Sequence, residues 1–174
     1  MDPGKLEQAF AELLEAEGQG LFRYLYWALG REEDARDALQ EVLIRIHRNL
    51  ASLRDETSLK KWVYRIATNV AHDHRRIRSR GAQTFGTHDP AVIEGAAVSA
   101  RRPDDEVADR ETHERLEKGL AALPEELRQA LLLHTLGGMK YREVAEALGW
   151  PIGTVTSRIH KARMMLQEML GDVM

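Results

Sequence analysis

The chain has 174 residues, of which 43% are hydrophobic and 30% are charged, with a formal net charge of -3. This length allows one ordinary domain or two small helical ones, and the absence of cysteine excludes disulfides, thiolate metal sites and cysteine nucleophiles. No apolar run approaches the roughly 18 residues that a membrane span needs, and the start MDPGKLEQ lacks the basic region of a signal peptide. We therefore expect a cytoplasmic protein without membrane insertion.

Two amphipathic segments are predicted at the amino-terminal end. In the first, apolar residues recur at helical spacing from Leu6 onward, and Gly18 and Gly20 are expected to interrupt the helix before LFRYLYWAL resumes it. A second apolar stripe runs from Ala35 to Leu50. Its other face carries mixed charges, which most often form only a solvated surface. These outer residues are Asp37, Gln40, Glu41, Arg45 and Arg48.

The third predicted helix begins near Ser58 and has a buried face and a cationic face. The polar residues on one side, called the cationic ridge below, are Lys61, Arg65, Thr68, His72, Arg75 and Arg76. The apolar residues on the other side are Leu59, Val63, Ile66, Val70 and Ile77. Such a ridge is either a solubilising helix end or a phosphate-binding arm, and its continuity favours the arm.

Two side chains of this helix invite a more specific interpretation. Trp62 lies on the boundary between the two faces, where a tryptophan is more often a lid on the core than a platform for stacking bases. His72 and His74 point away from each other on a helix, so this pair predicts no metal site.

Helical periodicity fails between Gly81 and about Arg102, where Gly, Ala, Ser and Thr predominate. We interpret residues 81–103 as a flexible linker between a helical domain at 1–80 and a second one at 104–174. In the second domain, Pro124 is predicted to be the first residue of a helix. His134 lies within that apolar helix and is expected to be a satisfied core or rim histidine.

The segment from Tyr141 to Arg163 is predicted to form a helix-turn-helix. Gly149 is expected to end its first helix, and Thr154 to cap the second. In the second helix, the predicted inward face comprises Val155, Ile159, Ala162 and Leu166, and the outward face Thr156, Ser157, His160 and Lys161, with Arg158 and Arg163 on the flanks. A short, polar and cationic face suits the DNA major groove. The alternative is an ordinary helical hairpin with a solvated charged face.

These patterns together predict an all-α fold of two small helical domains joined by a flexible linker, the second containing the helix-turn-helix. Three segments also carry a family resemblance, in the order DARDALQEVLIRIHRNL, SLKKWVYRIATNVAHDHRRIRSR and LPEELRQALLLHTLGGMKYREVAEALGWPIGTVTSRIHKAR. They resemble the extracytoplasmic-function (group 4) sigma factors of bacterial RNA polymerase, in the sigma-70 family.

The resemblance implies a factor that binds core RNA polymerase and promoter DNA, and that has no catalytic site, metal or cofactor. It assigns the docking of the β′ clamp helices to Asp37, Gln40, Glu41 and Arg45. It assigns the minus-ten element to Lys60, Lys61, Trp62, Arg65, Asn69, His72, Arg75 and Arg76, and the capture of a flipped base to the loop at 51–58. It assigns the binding of the minus-thirty-five element to Thr154, Thr156, Ser157, Arg158, His160, Lys161 and Arg163. The β subunit and an anti-sigma factor are further implied partners.

This chain departs from the family pattern at Thr156, where relatives often carry Lys or Arg. We therefore expect Ser157, His160 and Lys161 to provide the base contacts. A second hypothesis is a conventional helix-turn-helix regulator that binds duplex DNA as a dimer. An enzyme such as a nuclease is disfavoured, because no carboxylate cluster is paired with a base and no phosphate-binding loop is present.

Overall fold

The computed structural model describes residues 3–53, 58–84 and 108–171, and the part of the chain that it describes is helical, without strands. The helices are α1 (Pro3–Leu29), α2 (Glu32–Asn49), a short 3-10 helix (Leu50–Ser52), α3 (Leu59–Thr84), α4 (Ala108–Ala122), α5 (Glu125–Thr135), α6 (Tyr141–Leu148) and α7 (Ile152–Leu170). The predicted all-α class is confirmed. Positions 54–57 of the predicted base-capturing loop and positions 85–103 of the predicted linker lie outside the described residues.

The first helix is continuous over 27 residues, so the predicted interruption at Gly18 and Gly20 is wrong. Gly20 lies where α1 comes close to two other segments. A Cβ atom there would lie 3.4 Å from the hydroxyl oxygen of Tyr64 in α3 and 3.8 Å from the carbonyl oxygen of Leu136, after α5. Apolar burial along α1 outweighs the modest cost of glycine within a helix.

The second helix buries the predicted stripe, with Ala35, Ala38, Val42 and Ile46 completely inaccessible to solvent. Helical periodicity alone was sufficient for this prediction, because α2 packs one face against α1 and α3 and leaves the opposite face open.

Two assignments on α3 are wrong. Periodicity predicts Thr68 on the cationic ridge, but it is buried, and its hydroxyl lies 2.8 Å from the hydroxyl of Tyr24. Periodicity predicts Ile77 on the buried face, but it is 68% exposed, in a stretch from Arg76 to Arg80 where every residue is exposed. The helix also continues to Thr84, four residues into the predicted linker.

Helices α4 to α7 form a second unit in which α7 packs on α5, α4 and α6. Arg128 of α5 is buried and donates from Nη1 to the carbonyl oxygens of Leu120 and Ala121, at the end of α4. Pro124 precedes α5 as its N-cap instead of being its first residue. His134 is satisfied as predicted, since its Nδ1 lies 2.7 Å from the carbonyl oxygen of Met139.

The two units pack against each other, and their buried apolar residues belong to one cluster. Helix α1 contacts α4 and α5, and α3 contacts α6. The hydroxyl of Tyr26 in α1 donates to the carboxylate of Glu117 in α4. The neighbouring rings of Trp27 and His113 have centroids 5.1 Å apart. This packing places α3 beside the helix-turn-helix.

Candidate nucleic-acid and polymerase interfaces

The helix-turn-helix is built by α6, a three-residue turn at 149–151, and α7. Gly149 adopts φ 67° as the C-cap of α6 and donates its amide to the carbonyl of Ala145, which fits the preference of glycine for this left-handed conformation. Pro151 is the N-cap of α7, and the helix begins at Ile152. The predicted cap at Thr154 is therefore wrong, because this residue already lies in the first turn and donates its amide to the carbonyl of Pro151.

The two faces of α7 agree with the helical wheel. Val155, Ile159 and Ala162 are completely buried. The hydroxyl of Thr156 donates to the carbonyl of Ile152 and that of Ser157 to the carbonyl of Thr154, both at 3.0 Å. Each hydroxyl therefore keeps lone pairs for a donor on DNA. The exposed side chains of this face are Thr156, Ser157, His160, Lys161 and Arg163.

Arg158 is held differently from the other cations of α7. Its Nη2 atom lies 2.5 Å from a carboxylate oxygen of Glu126 in α5. Its guanidinium also lies 4.0 Å from the centroid of the Trp150 ring, in cation–π geometry. Sequence reasoning identified Arg158 but missed both partners. The only local indication of a stacking partner was the aromatic residue in the turn, eight positions before the arginine.

The amino-terminal end of α3 places two lysines against acidic partners. The Nζ atom of Lys60 lies 2.6 Å from Glu17 in α1, and that of Lys61 lies 2.8 Å from Glu146 in α6. Trp62 is partly buried and packs on the core, as expected of a lid. Of the remaining ridge residues, Arg65, His72 and Arg76 are exposed, as is the neighbouring Asn69.

Arg75 is separated from the exposed part of the ridge. Its Nη1 atom lies 3.4 Å from the carbonyl oxygen of Ala28, at the end of α1. Arg78 makes a similar contact with the carbonyl oxygen of Leu29, also at 3.4 Å. Burial lowers the pKa of the Arg75 guanidinium. The favourable interaction of a cation with a helix carboxyl end accounts for this placement.

A cleft of about 200 Å³ separates the exposed part of the ridge from the second unit. One wall is provided by α3 and the other by α5, α6 and the turn of the helix-turn-helix. The residues that line it are Arg65, Thr68, Asn69, His72, Gln129, Ala147, Leu148 and Trp150. The cleft thus brings together side chains predicted for the minus-ten element and residues of the unit predicted to bind the minus-thirty-five element.

The four predicted docking residues of α2 fall into two pairs. Asp37 and Gln40 are exposed. Arg45 lies 2.5 Å from Glu41 and 3.2 Å from Asp73. The other carboxylate oxygen of Glu41 lies 3.0 Å from Nε2 of His74. This network joins α2 to α3, so Glu41 and Arg45 contribute to the fold as well as to the outer face.

The same network changes the ionisation of its members. Partial burial opposes the charge on Glu41, but hydrogen bonds with His74 and Arg45 outweigh it and leave the pKa of the carboxyl below its usual value. For Arg45, Asp73 and Glu41 likewise outweigh burial, and the pKa is raised. Both groups are therefore charged at neutral pH.

An exposed isoleucine lies on the same outer face of α2. Ile44 is 50% exposed and occupies a position one helical turn from both Gln40 and Arg48. Sequence reasoning missed it, because its position beside an apolar stripe did not distinguish it from a core residue. The face that carries Asp37 and Gln40 therefore also exposes an apolar side chain.

The described part of the chain offers no evidence for a metal centre or a membrane segment. No group of three or more His, Asp or Glu side chains is placed there to hold a metal ion. No helix in the same part is long and apolar enough to cross a bilayer.

Comparison with known proteins assigns both units to parts of one family. Residues 13–81 match the family described as Sigma-70 region 2, and residues 113–166 match the one described as Sigma-70, region 4. The first match covers most of α1 together with α2 and the ridge of α3. The second covers the helix-turn-helix and the helices that support it.

Two relatives and one solved structure match most of the chain. The chain is 29% identical to the ECF RNA polymerase sigma factor SigW of Bacillus subtilis, over 96% of this chain and 91% of the relative. It is 32% identical to the RNA polymerase sigma-H factor of Pseudomonas aeruginosa, over 82% of this chain and 76% of the relative. The solved structure of the sigma factor RpoE from Bartonella quintana, in complex with the anti-sigma factor NepR, superposes with a TM-score of 0.78 at 25% identity, covering 95% of this chain and 98% of that one. The chain therefore belongs to the extracytoplasmic-function sigma factors of the sigma-70 family.

Proposed function

We propose that this sigma factor directs RNA polymerase to promoters through three separate surfaces, one on each of the helices α2, α3 and α7. The observation that carries the proposal is the presence of a cationic ridge and a helix-turn-helix on two different units of one chain. A conventional regulator needs only the second of these. The chain also matches both sigma-70 regions, and this match does not favour the alternative, a dimeric regulator of duplex DNA.

The outer face of α2 is proposed to bind the β′ clamp helices of core polymerase. Asp37 and Gln40 offer exposed polar groups, and Ile44 offers apolar area between them and Arg48. Glu41 and Arg45 are proposed to contribute to this binding through the parts of their charged side chains that remain exposed. The β subunit is proposed as a second contact of the polymerase.

The exposed part of the ridge on α3 is proposed to bind the minus-ten element as its strands separate. Lys61, Arg65, Asn69, His72 and Arg76 supply charge and hydrogen-bonding groups along one face, and Lys60 adds a second lysine at the amino-terminal end of the helix. Removing a base from its stack costs a few kcal/mol, which contacts to the backbone and the base edge must offset. Trp62 is proposed to support this face from the core, and Arg75 to orient α3 against α1.

The exposed face of α7 is proposed to read the minus-thirty-five element in the major groove. Ser157, His160 and Lys161 are proposed to reach base edges, with Thr156 as a weaker contact. Arg158 and Arg163 are proposed to bind phosphates on the flanks, and Thr154 to approach the backbone near the helix amino end.

The remaining proposals concern an anti-sigma partner and the cellular location of the protein. The structural neighbour RpoE is seen with an anti-sigma factor, and we propose that this chain also has an anti-sigma partner. We further propose that it acts in the cytoplasm and contributes no catalytic group of its own to RNA synthesis.

A reconstituted transcription assay tests these roles. Transcription starts are first mapped across the genome after overexpression, and one responsive promoter is then transcribed with core polymerase and purified protein. We expect a run-off product that requires the protein and is lost when its minus-ten or minus-thirty-five sequence is scrambled. Tight binding of a purified dimer to paired duplex half-sites, with no transcription in the presence of core polymerase, would support the regulator instead.

A further inference from the structure

We propose that the exposed start of α7 carries an apolar strip, formed by the side chain of Ile152 and the methyl group of Thr156, which reads thymine methyl groups in the minus-thirty-five element. The strip deepens the proposed function, since it rests on the role of α7 in binding that element and names the chemical group that this part of the helix recognises. Three observations at the start of α7 carry it.

The first observation is an exposed isoleucine at the first residue of the recognition helix. Ile152 is 52% exposed, whereas Val155 and Ile159 in the following turns are completely buried. Exposing half of a large apolar side chain costs free energy that burial against a partner would recover. Residues at the amino-terminal end of a recognition helix are those that reach base edges in the major groove, so the partner available to Ile152 is a base pair.

The second observation is the orientation of Thr156, one helical turn after Ile152. Its hydroxyl donates to the carbonyl oxygen of Ile152 at 3.0 Å, so the hydroxyl proton is used within the helix and is not available to an acceptor on DNA. The side chain is nevertheless exposed, and its methyl group can distinguish base pairs by apolar contact. Residues four positions apart on a helix have Cβ atoms about 5–6 Å apart, so this methyl group and Ile152 form one continuous strip.

The third observation is a glycine between these two residues. A Cβ atom at Gly153 would meet no other segment of the described residues within 4 Å, so the packing of the protein does not require a glycine there. Glycine also weakens a helix relative to alanine. A position without a side chain instead lets another molecule approach the backbone closely, and it leaves Ile152 and Thr156 as the groups that protrude at this end of the face.

Thymine offers the complementary group. In the major groove, thymine presents its C5-methyl group beside the O4 acceptor, whereas cytosine presents an N4 donor and no methyl group. Apolar contact of a threonine methyl group with the thymine methyl group is one of the ways in which proteins read bases. The strip therefore favours thymine, on either strand, at the base pairs that face the first turn of α7. Ser157, His160 and Lys161 remain available for the polar groups of other base edges.

Replacing thymine by deoxyuridine tests this contact, because it removes the methyl group and leaves base pairing unchanged. A responsive promoter is prepared as a set of labelled duplexes in which each thymine of the minus-thirty-five element, on both strands, is replaced singly. Binding of the holoenzyme to each duplex is then titrated. We expect one or two replacements to weaken binding about two- to fourfold, as the loss of one buried methyl group predicts, and the others to leave the affinity unchanged.

Two variants assign the lost methyl contact to the strip. Thr156→Ser removes the methyl group and keeps the hydroxyl, and Ile152→Ala shortens the exposed side chain. Each should weaken binding to the thymine duplex, and a sensitive deoxyuridine replacement should then cost little more, because the contact is already lost. Met164→Ala is the matched control, since Met164 is 47% exposed on α7 but lies about 18 Å farther along the helix axis than Ile152. This control should retain the full sensitivity to deoxyuridine.

The outcomes separate the strip from the proposed function. The strip is overturned if no deoxyuridine replacement weakens binding, if either strip variant keeps the full sensitivity, or if the minus-thirty-five element contains no A·T pair. Loss of transcription on scrambling that element would still support α7 as its reader. If scrambling leaves transcription unchanged, the proposed role of α7 is overturned and the strip with it. Circular dichroism of the variants verifies that the substitutions leave the helices intact.

Discussion

The guanidinium of Arg158 lies over the ring of Trp150, 4.0 Å from its centroid, and is bound on another side by Glu126. This arrangement fixes a long side chain that would otherwise be mobile on the surface of α7. Planarity suits arginine to such a site, because guanidinium stacks on an aromatic ring while its edge donates hydrogen bonds. The recognition helix is therefore oriented by contacts with its own turn and with α5.

The first prediction concerns Arg158 as a phosphate contact. Arg158→Ala should weaken holoenzyme binding to promoter DNA similarly for all minus-thirty-five sequences, and should reduce the slope of log affinity against log salt by about one. Arg158→Lys should recover only part of the loss, since a lysine keeps the charge but lacks the planar stack on Trp150. Titrations with labelled promoter DNA at several salt concentrations measure both. A loss confined to one sequence would instead make Arg158 a base contact.

The second prediction concerns Lys161, which is exposed on the outer face of α7. Lys161→Ala should cost about 1–3 kcal/mol on the preferred minus-thirty-five sequence and much less on sequences changed at the contacted base. Competition between the native and changed promoters for holoenzyme measures this preference. Arg163→Ala serves as the control on the flank, where an equal loss on all sequences is expected. The same pattern for Lys161→Ala would assign that lysine to a phosphate.

The third prediction concerns Ile44 on the outer face of α2. Burying its exposed half against the polymerase should be worth about 1 kcal/mol, so Ile44→Ser should lower affinity for core polymerase about fivefold while leaving the free energy of unfolding nearly unchanged. Ile77→Ser is the matched control, because Ile77 is 68% exposed on α3 and lies outside the proposed docking face. Competition against the unmodified protein for core polymerase provides the measurement. Equal affinities for the two variants would remove Ile44 from the interface.

Glu41→Lys is a poor test of docking. Helical periodicity places Glu41 on the outer face of α2, but its carboxylate binds Arg45 and His74. Reversing its charge would disrupt the junction of α2 and α3 in addition to any contact with polymerase. Asp37→Ala and Gln40→Ala avoid this difficulty, because both side chains are exposed.

The fourth prediction follows from the ionisation of Glu41. Its pKa is lower in the folded chain than the ordinary value of 4.5, so its contribution to stability is present above that value and is lost as the pH falls through the folded pKa. Glu41→Gln should therefore destabilise the protein at neutral pH, by at most about 1 kcal/mol for a partly exposed group. The difference in free energy of unfolding between the two proteins should shrink below about pH 4.

Denaturant titrations of both proteins at neutral and acidic pH measure that difference. The neighbouring groups Arg45, Asp73 and His74 are present in both proteins, so their own titration largely cancels. A difference that stays constant as the pH falls would show that the carboxylate charge of Glu41 does not stabilise the junction.

Local periodicity accounts for the exposed and buried helix faces that the structure confirms. The exposed and buried faces of α7 depend on which residues share one side of a helix, and Val155 and Ile159 mark the inner side without reference to any distant segment. The same holds for α2. A helix N-cap is less secure, because Thr154 and Pro151 both fit the start of a helix and the structure begins it at Ile152.

Contacts between distant segments account for the rest. Thr68 has the polarity of a surface residue, but the hydroxyl of Tyr24, 44 positions away, satisfies it within the core. Glu146 lies 85 positions from Lys61, so no local pattern connects them. The packing of the two units follows from such pairs and could not be obtained from periodicity.

The last prediction tests the continuity of α1. Gly18 lies within the helix, and a Cβ atom there would make only ordinary contact with the side chain of Leu14, at 3.7 Å. Gly18→Ala should thus raise the free energy of unfolding by about 0.5–1 kcal/mol, because alanine loses less backbone entropy in a helix. At Gly20 the added methyl group would lie 3.4 Å from the hydroxyl of Tyr64, so Gly20→Ala should gain less or lose stability. Chemical denaturation of the two variants checks this order, and a destabilising Gly18→Ala would indicate a break in the helix at that residue.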